Sequence, residues 1–498
     1  MALAVVAAAF GILITNCLWS AHNAWVLINF PFGVDYGEGI VWQQMRNMLA
    51  GHAYGPLGIF PAIVYHYPPV YHLTVGAASA ATGIDQLAMG RTVSTLSAFG
   101  TAGLIASLTV AIRPSANRLA NAAGGLLAAT LFLTTDPVSQ WGPLMRVDML
   151  SCLFTLAGLL LAIRAVRRSS LIGVSALCFV LAVYAKQTSI AAPMAAFIGL
   201  LLVRPRLAWA LAGSSFIIGI VPLVALEWLT DGGFLRHLLA YNINRFVPDQ
   251  IWALILPLRQ HIIYIAFSIS GAALLIGDLR KHWSRRANNL ALASAISAIA
   301  YFGLKTLMLG MMLKSGASYN YLIEWFCAVA ILVGIAGITA IEAIGALFRQ
   351  PGAGQTRSIL APMAIMFGIA VQAYALPPHR LTMEAARSET IRASRIVRLI
   401  QASPKPVISD DMTLLIRAGR DVQWEPAIAA ELGATGRYDQ PGFVRLIDQR
   451  RFGLFITDGD RGPSSYNGRY NPPVADAITR DYPQTWKMGR FVIHAPAR

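Results

Sequence analysis

Eleven long apolar stretches constrain this 498-residue chain more than any other feature. They cover 4–28, 90–112, 119–135, 148–164, 169–185, 187–203, 207–229, 256–277, 288–310, 322–347 and 358–376. About 20 apolar residues carry a helix across a ~30 Å hydrocarbon core, so the pattern predicts a polytopic α-helical membrane protein. Composition agrees. Charged residues make up 13% of the chain and hydrophobic ones 56%, whereas soluble domains carry about 25% charge. Soluble, collagen-like, coiled-coil and disordered chains are excluded on these figures. Residues 2–28 are too long for a signal core and lack a basic flank and a clear cleavage site, so they read as a retained first helix.

The basic breaks assign sides. Arg113 and Arg118, then Arg164, Arg167 and Arg168, then Arg204 and Arg206, mark the first breaks. Arg280, Lys281, Arg285 and Arg286 follow, and then Arg349 and Arg357, with Asp278 the only acid beside them. Under the positive-inside rule these breaks are cytoplasmic. Residues 68–84 are also apolar, but they open on Pro68-Pro69, and counting them as a span would move Arg113 and Arg118 to the wrong side. They are predicted to form a helix lying at the outer interface. The N-terminus is then cytoplasmic and the C-terminal region outside, in the inner (plasma) membrane. The formal net charge is +16, yet no Lys/Arg run interleaves with aromatics, so nucleic acid is not an expected partner. Cys17, Cys152, Cys178 and Cys327 lie in or beside apolar segments and imply no disulfide framework.

Beyond residue 376 the chain becomes polar. Met383 to Ala402 has helical periodicity. Short apolar runs at 407–409, 422–424, 452–456 and 491–493 then alternate with helical patches near 426–432 and 441–450. This predicts two units: a membrane domain, 1–376, with a first outer loop at 29–89 bearing interfacial helices, and a small extracytoplasmic α/β domain, 377–498.

Charges of both signs gather on the outer side, where a charge at membrane depth usually faces a cavity or a partner. The first outer loop opens with Asp35-Tyr36-Gly37-Glu38-Gly39 and continues as an amphipathic helix from Ile40 to Leu49. Tyr65-His66-Tyr67-Pro68-Pro69 follows. A carboxylate among glycines permits close approach and can accept a proton from a hydroxyl. Asp35 is the first candidate for that role, with Glu38 in reserve; a solvated loop acid is the bland alternative. Arg146-Val147-Asp148 opens a span, where a plain structural ion pair is the simpler reading. Lys186-Gln187 occupies a tight outer turn, against the positive-inside trend, which favours anion binding over snorkelling. Ser318-Tyr319-Asn320-Tyr321 with Glu324 stands at the mouth of another span. No phosphate loop, His-Glu-x-x-His or zinc spacing occurs.

These residues carry a family resemblance. A long first outer loop with an early carboxylate, a later Pro-Pro and Arg91 opening the next span resembles the GT-C membrane glycosyltransferases. Within them the chain is similar to the protein O-mannosyltransferase and lipid A aminoarabinose transferase branch. That branch places a basic residue before Pro-Pro; here Tyr67 stands there, with His66 one place earlier. Arg146-Val147-Asp148, Lys186-Gln187-Thr188 and Asn320-Tyr321 with Glu324 resemble motifs of an uncharacterised bacterial subgroup. The resemblance implies a polyprenyl-phosphate-linked sugar donor, a lipid, glycan or protein acceptor, and inverting transfer at the outer face. Arg91 and Lys186, joined by Arg146 or Arg245, would then meet the charge developing on the leaving phosphate. No cofactor is required for a monophosphate leaving group, although Asp35, Asp148 and Glu324 would suit a shared divalent metal. A transporter or flippase is the rival reading. It would predict internal repeats and midplane charges, whereas here no repeat is visible and the charges cluster at one face. A non-catalytic assembly subunit is the third.

Overall fold

The computed structural model describes residues 2–242, 244–349 and 360–497. In chain order the first helices are α1 (Ala2–Ile28), α2 (Tyr36–Leu49), α3 (Val70–Thr82), α4 (Gln86–Ile112), α5 (Arg118–Thr134), α6 (Asp136–Trp141) and α7 (Asp148–Ala165). Next come α8 (Leu171–Ala185), α9 (Ala191–Val203), α10 (Pro205–Leu229), the single turn α11 (Gly233–Leu235), α12 (Ile251–Gln260), α13 (Ile262–His282), α14 (Leu290–Met308), α15 (Leu322–Arg349) and α16 (Leu360–Ala375).

Each of the eleven apolar stretches contains a helix. Seven are long and apolar enough to cross a membrane, and α5, α8, α9 and α16 are shorter apolar helices. Residues 68–84 contribute only the 13-residue α3, about 20 Å long at 1.5 Å per residue and so too short to span. It packs beside α2 and α4. The 256–277 stretch divides at His261, where α12 stops and α13 begins; its backbone leaves the helical region at φ −103° and ψ 23°, and its imidazole hydrogen-bonds the Pro257 carbonyl at 2.9 Å.

α15 is the axis of the bundle. Nearly every side chain from Leu322 to Ile338 is buried, so it reads as hydrophobic all round, as an enclosed helix should. Close packing is set by small residues. A Cβ on Gly334 would stand 2.6 Å from that of Ala128, and one on Gly124 would meet Ile338. The basic breaks meet at one end of the bundle. Arg113 Nε pairs with Asp278 at 2.8 Å, Arg204 Nη1 donates to the Val166 carbonyl at 2.7 Å, and Asn288 N–H donates to the Val203 carbonyl. Arg357, assigned above to the last break, lies outside the described residues.

The opposite end carries the first loop and the C-terminal unit: α17 (Met383–Ala402), β1 (Val407–Ser409), α18 (Met412–Arg417), α19 (Pro426–Ala434), α20 (Gln440–Asp448), β2 (Leu454–Asp458), α21 (Ser464–Asn467), α22 (Pro472–Asp481), β3 (Gln484–Met488) and β4 (Phe491–Ala495). The sheet order is β1-β2-β4-β3, with β1 parallel to β2 and the other pairings antiparallel. Ile408 faces Phe455, and Ile456 faces Ile493. The expected strand at 422–424 is a single bridge from Trp424 to Ala62 in the first loop. β3 was not expected, because Gln484–Met488 is largely exposed and lacks an apolar run. The expected division at 376/377 falls between α16 and α17. Across it one hydrophobic core joins Phe30, Ile40 and Trp42 to Ile396, Met412 and Ile493.

Candidate functional site at the mouth of the bundle

Asp35 is the N-cap of α2. Its Oδ2 accepts from the Gly37 N–H at 2.9 Å, the side-chain oxygen satisfying a helix-end donor. Arg146, in the turn before α7, donates Nη1 to the same oxygen at 2.8 Å. The sequence reading credits the glycines with letting substrate approach. At Gly37 the close neighbour is instead Arg146, whose Nη1 lies 1.6 Å from where a Cβ would stand. At Gly39 it is the start of α18, with Met412 Cβ at 2.6 Å from that position.

From Arg146 the charges continue inward. Its Nε stands 3.9 Å from Asp148 Oδ2, and both atoms are buried without a hydrogen-bond partner. Asp148 Oδ1 accepts from Lys186 Nζ at 2.5 Å and from Asn320 Nδ2 at 3.1 Å. Lys186 caps the end of α8 in extended backbone, and its Nζ sits 5.0 Å from the Tyr321 ring centre. The Tyr67 phenol faces Arg146, Asp148 and Lys186; burial pushes its pKa up. Five residues from four separate parts of the sequence thus form one string, Asp35–Arg146–Asp148–Lys186–Asn320. Gln187 supports it from outside, donating Nε2 to the His66 carbonyl at 2.8 Å, while the His66 imidazole contacts Glu425 of the C-terminal unit at 2.9 Å.

Three expected residues are placed elsewhere. Glu38 and Arg91 are fully buried and bound to each other: Nε to Oε1 at 2.8 Å and Nη2 to Oε2 at 2.7 Å. Arg91 spends its remaining donors on the carbonyls of Leu27, Phe30 and Phe32, so all five N–H groups of the guanidinium are used. Glu38 also accepts from the N–H groups of Val34 and Met145, each at 2.9 Å. Burial alone would push its pKa up, but Arg91 and these donors hold it below the ordinary value. Arg91 is therefore not placed to meet a phosphate, nor Glu38 to act as a base; together they frame the loop. Arg245 is likewise engaged with Glu431, at 3.0 Å from Nε. Asp35, Asp148 and Glu324 do not converge as a shared metal site would require. Each is held by its own cation, and among the described residues no three His, Cys, Asp or Glu side chains group for a metal.

Two cavities flank the string. One, of ≈ 360 Å³, is lined by Asp35, Trp141, Gln140 and His379. The other, of ≈ 10 Å³, is lined by Asp148, Lys186, Asn320, Glu324 and Lys305. Sequence reasoning passed over Lys305, although a lone lysine inside the 288–310 run is the signal that flags it. It also passed over Arg469, which stacks 4.4 Å over the Tyr36 ring while pairing with Asp410 at 3.0 Å. Only the fold reveals that neighbour.

No family model and no curated protein sequence matches the chain. Among solved structures it resembles ArnT from Cupriavidus metallidurans in the apo state, with TM-score 0.59 and 14% identity over 97% of both chains. It also resembles the same protein bound to undecaprenyl phosphate, at TM-score 0.55, 14% identity, and 99% and 97% of the two chains. The archaeal oligosaccharyltransferase AglB from Archaeoglobus fulgidus, in complex with an inhibitory peptide and a dolichol-phosphate, superimposes at TM-score 0.55 and 11% identity, over 98% of this chain and 74% of that one. Both are GT-C glycosyltransferases. The chain has the GT-C membrane fold.

Proposed function

We propose that the chain is an integral membrane glycosyltransferase that moves a sugar from a polyprenyl-phosphate-linked donor to an acceptor hydroxyl at the outer face of the inner membrane, with inversion. In this reading the C-terminal unit is extracytoplasmic and the basic end of the bundle cytoplasmic. One observation carries the proposal: the string from Asp35 to Lys186 puts a candidate base at one cavity and a cation at the other, with Arg146 between them. The solved neighbours bound to undecaprenyl phosphate and dolichol-phosphate support the donor class.

The chemistry follows from the geometry. Asp35 Oδ2 is held by Arg146 and Gly37, and no described residue donates to Oδ1. That oxygen takes the proton as the acceptor hydroxyl attacks the anomeric carbon. The bond from that carbon to the phosphate oxygen breaks on the opposite side, and Lys186 meets the negative charge that develops there. A direct displacement inverts the anomeric centre. The acceptor approaches beneath the C-terminal unit, which shapes access and does no chemistry.

Transfer of radiolabelled sugar from a polyprenyl-phosphate donor, in purified protein, tests this reading. Asp35→Asn lowers turnover by about two orders of magnitude or more, the usual general-base contribution, and leaves undecaprenyl phosphate binding close to wild type. Near-normal turnover in Asp35→Asn removes the base assignment; absence of transfer from every polyprenyl-phosphate sugar tried removes the function.

A further inference from the structure

A second lysine–carboxylate pair faces the small cavity, and the string above does not use it. Lys305, near the end of α14, donates Nζ to Glu324 Oε2 at 3.0 Å, and both side chains are more than nine-tenths buried. The Tyr301 hydroxyl lies 3.2 Å from the Glu324 carbonyl oxygen and 3.4 Å from its Oε1, able to donate to either. Across the cavity stands the Lys186–Asp148 pair.

Three helix beginnings converge there. Asp148 is the first residue of α7, Ser189 lies two residues before α9, and Glu324 is in the first turn of α15. Helix beginnings favour negative charge. Two of them are occupied by carboxylates, each gripping one lysine. Lys305 and Glu324 sit in apolar spans, where ionisable groups are expensive and commonly functional. Asp148 Oδ2 has no hydrogen-bond partner, only the Arg146 charge at 3.9 Å.

We infer that Lys305 is a second phosphate-binding cation, held in reserve by Glu324, and that the cavity between Lys186 and Lys305 receives the phosphate of the lipid-linked donor. This rests on the proposed donor class. At ≈ 10 Å³ the cavity holds about one water, so a phosphate enters only as Glu324 yields its hold on Lys305. Glu324 is a stand-in anion: it keeps a buried ammonium compensated in the empty enzyme and competes with the incoming phosphate. Lys305 is thereby a donor-binding residue, and Glu324 sets donor affinity through it.

The competition gives opposite signs for two variants. Full-length protein in nanodiscs is titrated with undecaprenyl phosphate and, separately, with inorganic phosphate. Glu324→Gln, which keeps the shape and frees the ammonium, binds undecaprenyl phosphate at least threefold more tightly than wild type. Adding Lys305→Met to Glu324→Gln weakens binding at least tenfold relative to the single variant, with melting temperatures that show both the single and the double variant folded. Equal affinities in wild type and both variants overturn the inference and leave the pair structural, while the proposed function stands. A response confined to inorganic phosphate also overturns the donor assignment. Failure of wild type to bind undecaprenyl phosphate at all refutes the proposed donor class itself.

Discussion

Asp35 and Glu38 are three residues apart, and the structure predicts that their amides fail in different ways. Glu38 accepts four hydrogen bonds, two of them from Arg91, with no exposure to solvent. Glu38→Gln keeps the size but turns one acceptor into a donor facing N–H groups, and it strands the Arg91 charge in the interior. Removing one partner of a buried ion pair costs about 3–5 kcal/mol, a large share of a typical ~5–15 kcal/mol stability. The expected result is low folded yield and a strongly depressed melting temperature, with the surviving folded fraction still turning over. Asp35 is part-exposed and shares its Oδ2 between the Gly37 N–H and Arg146. Asp35→Asn keeps a side-chain oxygen for the Gly37 N–H and for Arg146 Nη1, and Arg146 retains Asp148 as a second carboxylate at 3.9 Å, so its stability falls by less than that of Glu38→Gln, by about 1–3 kcal/mol, while turnover collapses. The assay is a thermal melt in detergent, paired with sugar transfer normalised to monodisperse protein. The sign with pH follows as well. Because the folded Glu38 is held below its ordinary value, its contribution to stability is present above the unfolded carboxylate range and is lost as pH falls through the folded value. The acid-side loss of melting temperature should therefore shrink in Glu38→Gln. A Glu38→Gln protein with wild-type melting and no turnover would refute the division of labour.

Asp411 presents the reverse case. Burial pushes its carboxyl up to about 6, so between the ordinary Asp value and 6 the folded state holds the extra proton, and stability falls as pH rises through that window. Asp411→Asn keeps the cap on Thr413 and should raise the melting temperature at pH 8 but not at pH 4; the gain is at most on the order of 3 kcal/mol, and no gain at pH 8 contradicts the reasoning. The double change Asp410→Asn/Asp411→Asn should leave turnover on a small soluble acceptor analogue mostly intact, and complete loss in folded protein would bring the C-terminal unit into the chemistry. Gly37→Ala should push Arg146 off Asp35, because the new methyl overlaps the guanidinium, and should lower turnover at least tenfold with donor affinity less affected; unchanged turnover would show that Arg146 does not orient the base. Gln187→Ala removes the shorter of the two bonds to the His66 carbonyl, leaving Asn242 at 3.3 Å, and a rise in proteolytic nicking of the 60–67 segment is the expected readout.

The sequence by itself determined the membrane character, the apolar helices in all eleven stretches and the shortness of the helix within 68–84, because apolar length and the position of basic residues are local properties. It also singled out each residue that the fold joins into the string from Asp35 to Asn320, since charges on the sparsely charged side of a membrane protein stand out one at a time. It could not say which charge meets which. Arg91 and Glu38 looked as available as Lys186 and Asp35, and only the fold shows that the first two exhaust one another while the second two face cavities. The C-terminal unit looked separate because its composition changes at residue 377. Only packing reveals that Met412, Ile493 and Phe30 share one core, and that Arg469 reaches Tyr36 across 433 residues of sequence. Pairing is a property of distance in space, and for Lys305 and Glu324 that distance is set by how α14 lies against α15, which no stretch of either helix encodes alone.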